Sequence, residues 1–410
     1  MKVNTGTRPH RSMSSPAIVV GALGAALAAA LLISSPAATQ TGPPIKIGVI
    51  HDLTGALSQM GSELNEGIRL HVSEIGGQVA GRKIELLFED SESKVDPGIT
   101  KVRKLVERDR VHLVIGPVNS ALAYALRDYM DTNKVPIIVT QASATDLTQA
   151  KASPYLFRTS FGSEQLNMPA AWYAYSKLGY KRAIVVALDM VGGREQSGGF
   201  IKTFRQLGGT VVSEVYAPLN TADWAPYLTR VKADLDKADF VAAIVWGPDA
   251  MRFVRGYTDY GMKGTKPILA HGSAVDEGFL PSEGAAALGI LNYLFYTPTQ
   301  DTPENRRFRD LTRRELGKEP TNWDAMGYTT AKVVTEALRK VQGQVEDVPR
   351  FLAALRGTEI VAPQGKFRFD EKQNAVIDLH IRRVENVGGK PVNAFVDQIP
   401  NVGQFWTPPR

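Results

Sequence analysis

The chain has 410 residues, 43% of them hydrophobic and 22% charged, which excludes a disordered protein and leaves room for two or more domains. It has no cysteine, so disulfides, thiolate metal sites, a cysteine nucleophile and a lipid-modified N-terminal cysteine are all excluded. The formal charge of +6 includes Lys2, Arg8 and Arg11 of an acid-free leader; without them 45 of the 48 basic residues face 42 acidic ones, a balance of +3, and no basic block interleaved with aromatics points to nucleic acid.

The chain begins with positive charges in "MKVNTGTRPHRS", continues with the apolar run "AIVVGALGAALAAALLI" (17–33) and then small residues in "SSPAATQ". This is the layout of a signal peptide, 1–37, with cleavage after Ala37; the alternative is an uncleaved membrane anchor. The expected location is the periplasm.

From Ile45 short apolar strands alternate with helical patterns. "IKIGVI" precedes a helix at 62–75 with Leu64, Ile68, His71 and Ile75 on one face. "KIELLFED" precedes a second helix, capped by Asp96 with Pro97 in its first turn. "VHLVIG", a helix at 121–131 and "VPIIVT" follow, and such alternation predicts a parallel sheet covered on both faces. After "YLFRTS" the pattern restarts: a helix at 164–178, "RAIVVALD", a helix through Phe200 and Phe204, "TVVSEVYA", a helix opened by Asp223 and Pro226, "FVAAIVWG", "DAMRFVRGYTDYG" and "KPILAHG". The tail offers "ILNYLFYTP", helices near 303–315, 323–341 and 348–355, and the strands "GKFRFD" and "AVIDLHIRRV". These read as additions to the two sheets, with the chain crossing between lobes near 160, 297 and 362. Lobe 1 is then 45–160 plus 298–362 and lobe 2 is 161–297 plus 363–410. Three crossings make a hinge, and the cleft beside it is the expected ligand site.

No Gly-rich dinucleotide fingerprint, Walker loop or nucleophile elbow is present. "AHGSAVDEG" brings His271, Ser273 and Asp276 together in sequence only, and the six histidines lack metal-ligand spacing. The reading is therefore no enzyme, no catalytic residue, no metal and no cofactor. Polar and small residues instead recur at strand ends: "HDLTGALSQMG", "GPVNS" and "TQASAT" in the first unit, "LDMVGG", "WGPD" and "AHGS" in the second. In open α/β sheets ligands bind at such ends. Ser120, where an apolar strand breaks at Gly116-Pro117 and a helix restarts beside Asn119, reads either as an N-cap or as part of a cradle for an anionic or oxygen-rich ligand.

"IKIGVIHDLTGALSQMGSELNEGIRL", the block "GGQVAGRKIELLFEDSESKVDPGITKVRKLVERDRVHLVIGP", "PYLFRTS", "DEGFL" and "YTTAKVVTEAL" resemble, in sequence and in order, the branched-chain amino-acid and amide-type solute-binding proteins of ABC importers. The resemblance spans about 45–395 and implies a type I periplasmic binding protein: an α/β fold of two Rossmann-like lobes joined by a three-segment hinge. It implies a monomer that meets the membrane only transiently, through importer permease subunits, and binds a small-molecule carboxylate. The family's carboxylate-binding serine falls on Ser120, and its Ala-x-Thr stretch on Ala142, Ser143 and Ala144, with Thr145 an alternative hydroxyl. The amine end departs from the family: its tyrosines fall near Gly192, in the loop with Met190, and near Trp246 or Gly247, and its acid falls near His271 or Gly272. An unpaired buried ammonium is costly. Open glycines and flat walls from Trp246 and Trp323 therefore favour an aromatic carboxylate. Trp323, Trp246, Leu53 and Met60 read equally as core. The alternatives are a branched-chain amino-acid or amide/urea receptor, or a ligand sensor of the same fold.

Overall fold

The structure, a computed structural model, describes residues 42–409; the leader at 1–37 and its cleavage after Ala37 lie outside the described residues. The strands of the first sheet are β1 (Ile45–His51), β2 (Gln78–Val79), β3 (Arg82–Asp90), β4 (Leu113–Ile115), β5 (Ile137–Val139) and β6 (Leu156–Arg158), in the order β2-β3-β1-β4-β5-β6. The apolar runs in β1 and β4–β6 are almost wholly buried, while the half-buried β3, with β2 beyond it, edges the sheet on one side. All pairings are parallel except that of β2 with β3. Between the strands run α1 (Ser58–Glu74), α2 (Val95–Arg103) and α3 (Ser120–Asn133). The expected Asp96 cap is not one. Lys94 is the N-cap residue and makes no side-chain cap bond, while Asp96 lies inside the first turn, where its charge faces the positive end of the helix dipole.

The second unit follows the same alternation: α4 (Asn167–Trp172), β7 (Arg182–Leu188), α5 (Val191–Gln206), β8 (Thr210–Ala217), α6 (Ala225–Asp234), β9 (Phe240–Ile244), α7 (Gly247–Asp259), β10 (Ile268–His271), the short α8 (Leu280–Glu283) and β11 (Leu291–Leu294). Then come α9 (Pro303–Leu316), α10 (Asn322–Lys340), α11 (Val348–Arg356), β12 (Glu359–Ala362), β13 (Gly365–Phe369), β14 (Ala375–Val387) and β15 (Lys390–Val402). The second sheet runs β12-β13-β14-β11-β10-β9-β7-β8, with β15 also on β14.

The tail differs from expectation. It holds four strands after α11, all in the second sheet, and none extends the first. β15 contains Pro391, Asn393 and Asp397 and does not read as a strand, but Val387 pairs with Lys390 across Gly388-Gly389, both at positive φ. That is a two-residue hairpin turn, and it dictates the return strand. Of the tail helices, α10 packs along α1 beside the first sheet, backbone on backbone. A Cβ on Gly327 would lie 2.1 Å from the Leu64 carbonyl, and one on Gly67 2.1 Å from the Asp324 carbonyl, so glycine at both positions sets the approach.

Where the chain passes between the sheets, buried polar groups lace the crossings together. Thr159 and Thr330 share a hydroxyl hydrogen bond of 2.7 Å. Thr329 donates to Gln364 (2.8 Å), and His380 bridges Thr297 and the Gln364 carbonyl. Gln165 donates to the carbonyls of Ala375 and Val402.

Candidate functional site

The site grows from the carboxyl ends of β4 and β5. Asn119, not Ser120, caps α3: its side-chain oxygen accepts from the N–H of Ala121 (2.8 Å) and of Leu122 (3.3 Å). Ser120 occupies the first helical position, and its hydroxyl oxygen accepts from the Ala144 N–H at 3.2 Å. The capping role expected of Ser120 thus passes to its neighbour. The reason is geometric, because the residue with extended backbone immediately before the helix is the one whose side chain folds back on the first turn. No acceptor among the described residues takes the Ser120 proton.

The β5 loop has alternating polarity. Ala142 N–H donates to the Pro117 carbonyl (3.4 Å) and Ala144 N–H to Ser120, while the N–H groups of Ser143 and Thr145 have no acceptor among the described residues. The carbonyls of Ala142 and Ala144 accept from Arg158, and a trans peptide points its N–H opposite to its carbonyl. Both free N–H groups therefore point away from Arg158. With the Ser120 hydroxyl they offer three donors suited to an oxyanion, whereas the Ala121 and Leu122 N–H groups in the first turn of α3 are already taken by Asn119. Ser143 is held by Ser163, whose N–H and hydroxyl both donate to its carbonyl. His51, at the end of β1, is buried between Asn65 (2.7 Å) and Thr140 (2.8 Å), and burial lowers its pKa to about 4, so it stays neutral. Leu53 is half-buried in the next loop, its N–H held by Asp90 at 2.8 Å. Met60 is half-buried on α1 and packs into the core. Gln59 beside it reaches the loop after β10, where a Cβ on Gly278 would fall 2.7 Å from its Nε2.

Among the loops of the second sheet, Met190 is 37% exposed at the start of α5 and Gly192 has open space where a side chain would stand. Glu195, one turn in, lies 3.4 Å from the Thr145 hydroxyl and so joins this loop to the β5 loop. Sequence reading passed over Glu195, whose only signal was its place at the end of "DMVGGRE". Trp246 is half-buried before α7 and packs against two buried apolar clusters. His271 is buried beside Phe161 and Tyr293, and burial lowers its pKa to about 3. Its Nδ1 accepts from the Ser273 N–H and its Nε2 has no partner among the described residues, so these residues form no Ser-His-Asp relay. Asp276 is engaged elsewhere, accepting from Asn322 of α10. Trp323, next to Asn322, is 8% exposed and belongs to the main core, which is its packing role rather than an open wall.

The arrangement is two sheets with their loops linked by Thr145–Glu195 and Asp276–Asn322, one side rich in free donors and the other uncharged at His271. Residues 44–390 match the family described as periplasmic binding proteins. The chain belongs to that family. The Leu/Ile/Val-binding protein homolog 6 of Brucella melitensis is 29% identical over 364 residues, 88% of this chain and 92% of its own length. An ABC transporter substrate-binding protein from Sphaerobacter thermophilus is 40% identical, with a TM-score of 0.86 over 88% of this chain and 99% of that one. A solute-binding protein from Rhodopseudomonas palustris HaA2, solved in complex with p-hydroxybenzoic acid, is 30% identical with a TM-score of 0.82, covering 89% of this chain and 99% of its own. This binding protein therefore has the type I periplasmic binding fold and is a solute-binding protein of the ABC-transporter class, a family that works outside the cytoplasm. Its relatives bind for transport and are not enzymes.

Proposed function

We propose that this binding protein captures an aromatic carboxylate between its lobes, 45–160 plus 298–362 and 161–297 plus 363–410, and delivers it to importer permease subunits in the periplasm. The observation that carries the reading is the donor set at the β5 loop: the Ser120 hydroxyl and the free N–H groups of Ser143 and Thr145. These satisfy a carboxylate, which brings four acceptor sites and no proton. In the loops of the second sheet His271 is neutral and Gly192 has open space, so neither position supplies the acid that the family pairs with an ammonium. The Rhodopseudomonas protein with p-hydroxybenzoic acid supports the same ligand class.

Glu195 favours a second reading, a branched-chain amino acid, because it puts a carboxylate beside Thr145 where an α-ammonium next to a bound carboxylate could pair with it. The name of the Brucella relative points the same way. Calorimetry with 4-hydroxybenzoate, benzoate, leucine and isoleucine decides between them. The aromatic reading expects saturable one-to-one binding of the benzoates and weak binding of leucine. Tight leucine binding that collapses in Glu195→Gln would establish the second reading instead.

A further inference from the structure

We infer that Arg158 is a positioning residue of the ligand site: its buried guanidinium orients the β5 loop donors and supplies the positive charge by which the site prefers an acid over the matching neutral amide. This rests on the carboxylate reading above and adds to it a residue that does not touch the ligand.

Arg158 ends β6 at the first crossing and is 0% exposed. A charge so buried is costly unless it is paired. Yet among the described residues no carboxylate lies within ion-pair distance of it. Its bonds all go to neutral oxygens: Nε to Asn374 (2.6 Å), Nη1 to the carbonyls of Ala142 (3.4 Å) and Ala144 (2.8 Å), and Nη2 to the Thr148 hydroxyl (2.6 Å). Asp370 and Glu195 act on it only from beyond that range, and burial lowers its pKa to about 10, which leaves it charged at neutral pH.

Three of these four acceptors belong to 142–148, the loop that carries the free N–H groups, and the fourth, Asn374, opens the return of the chain into β14. Holding the Ala142 and Ala144 carbonyls turns the Ser143 and Thr145 N–H groups outward. A neutral donor could do that much. The full charge, unpaired in a dry setting, adds a field that stabilises an anion on the far side of the same peptides and does little for an uncharged ligand. The bond to Asn374 ties this charge to the hinge.

Calorimetry of the whole mature protein with benzoate and benzamide tests the inference. The wild type should prefer benzoate. Arg158→Gln removes the charge, and Asn374→Asp leaves the arginine in place but sets a carboxylate against it. Both should lower the benzoate-to-benzamide affinity ratio about tenfold or more. Thr148→Ala removes one hydrogen bond and keeps the charge, so its ratio should stay within about twofold of wild type. A merely structural arginine would weaken both ligands together. An unchanged ratio in Arg158→Gln and Asn374→Asp, with the wild-type preference intact, would overturn the inference and leave the carboxylate reading standing. If Arg158→Gln does not fold, Asn374→Asp decides alone. Equal affinity of the wild type for benzoate and benzamide would sink both.

Discussion

At the start of α3 two neighbouring side chains divide two tasks that one alone was expected to perform. Asn119 spends its oxygen on the helix's own first turn, whereas Ser120 uses its oxygen on Ala144 and its proton has no acceptor among the described residues. The two substitutions should separate. Asn119→Ala should cost about 0.5–2 kcal/mol of stability, the usual value of a cap, with little change in affinity. Ser120→Ala should weaken benzoate by about 1–3 kcal/mol, because a buried acceptor loses a donor. Calorimetric melting and titration of both variants check this, and loss of affinity in Asn119→Ala with none in Ser120→Ala would reverse the assignment.

The first turns of α1 and α10 reach the loop after β10: Gln59 of α1 approaches Gly278, and Asn322 of α10 holds Asp276. Their mutual position therefore sets where those contacts fall. It depends on paired glycines, since no side chain fits between Gly327 and the Leu64 carbonyl. Gly327→Ala should force the helices apart and cost about 1–3 kcal/mol, as overpacking does elsewhere. Urea unfolding should show a lower midpoint with an unchanged slope. A wild-type midpoint would mean that the interface yields at no cost.

Across the whole molecule, buried acids should make stability fall as pH rises from about 4.5 towards 8. Burial raises Glu283 from 4.5 to about 8, with Asp276 adding to the shift, and raises Asp276 well above the ordinary aspartate value, with Glu277 adding to that. A carboxyl whose folded pKa is raised stays protonated in the fold while the unfolded chain has already released the proton. Its cost therefore grows between the unfolded and folded values, at a limit of about 1.4 kcal/mol per pH unit per group. The buried histidines His51, His271 and His380 are lowered, so they cost stability only below about 6.5 and leave the range from 6.5 to 8 to the acids. Both Glu283 carboxylate oxygens lack a partner among the described residues. Glu283→Gln should thus be more stable than wild type at pH 8 and flatten the loss between pH 6.5 and 8. Chemical unfolding at both pH values checks this, and a parallel loss in the variant would assign the slope to other groups.

The strand–helix alternation, the two sheets and the polar strand ends were legible in the sequence, because apolar runs and helical spacing are local signals that burial only confirms. The family resemblance carried the type I fold, and the positions of Ser120 and 142–144 followed from it. What the sequence could not determine was which oxygen of Asn119 and Ser120 closes the cap, since both residue types fit and only the loop from β5, far along the chain, claims the serine. It could not show that Arg158 lacks a carboxylate, or that Trp323 packs inward, because both depend on what other elements bring alongside. The return strand β15 was hidden for the same reason: its residues have weak strand character, and its form comes from pairing with β14 after a Gly-Gly turn. Local pattern determined the elements and their order. Tertiary structure decided which donors remain free, because a hydrogen bond is counted as used only when its partner has arrived.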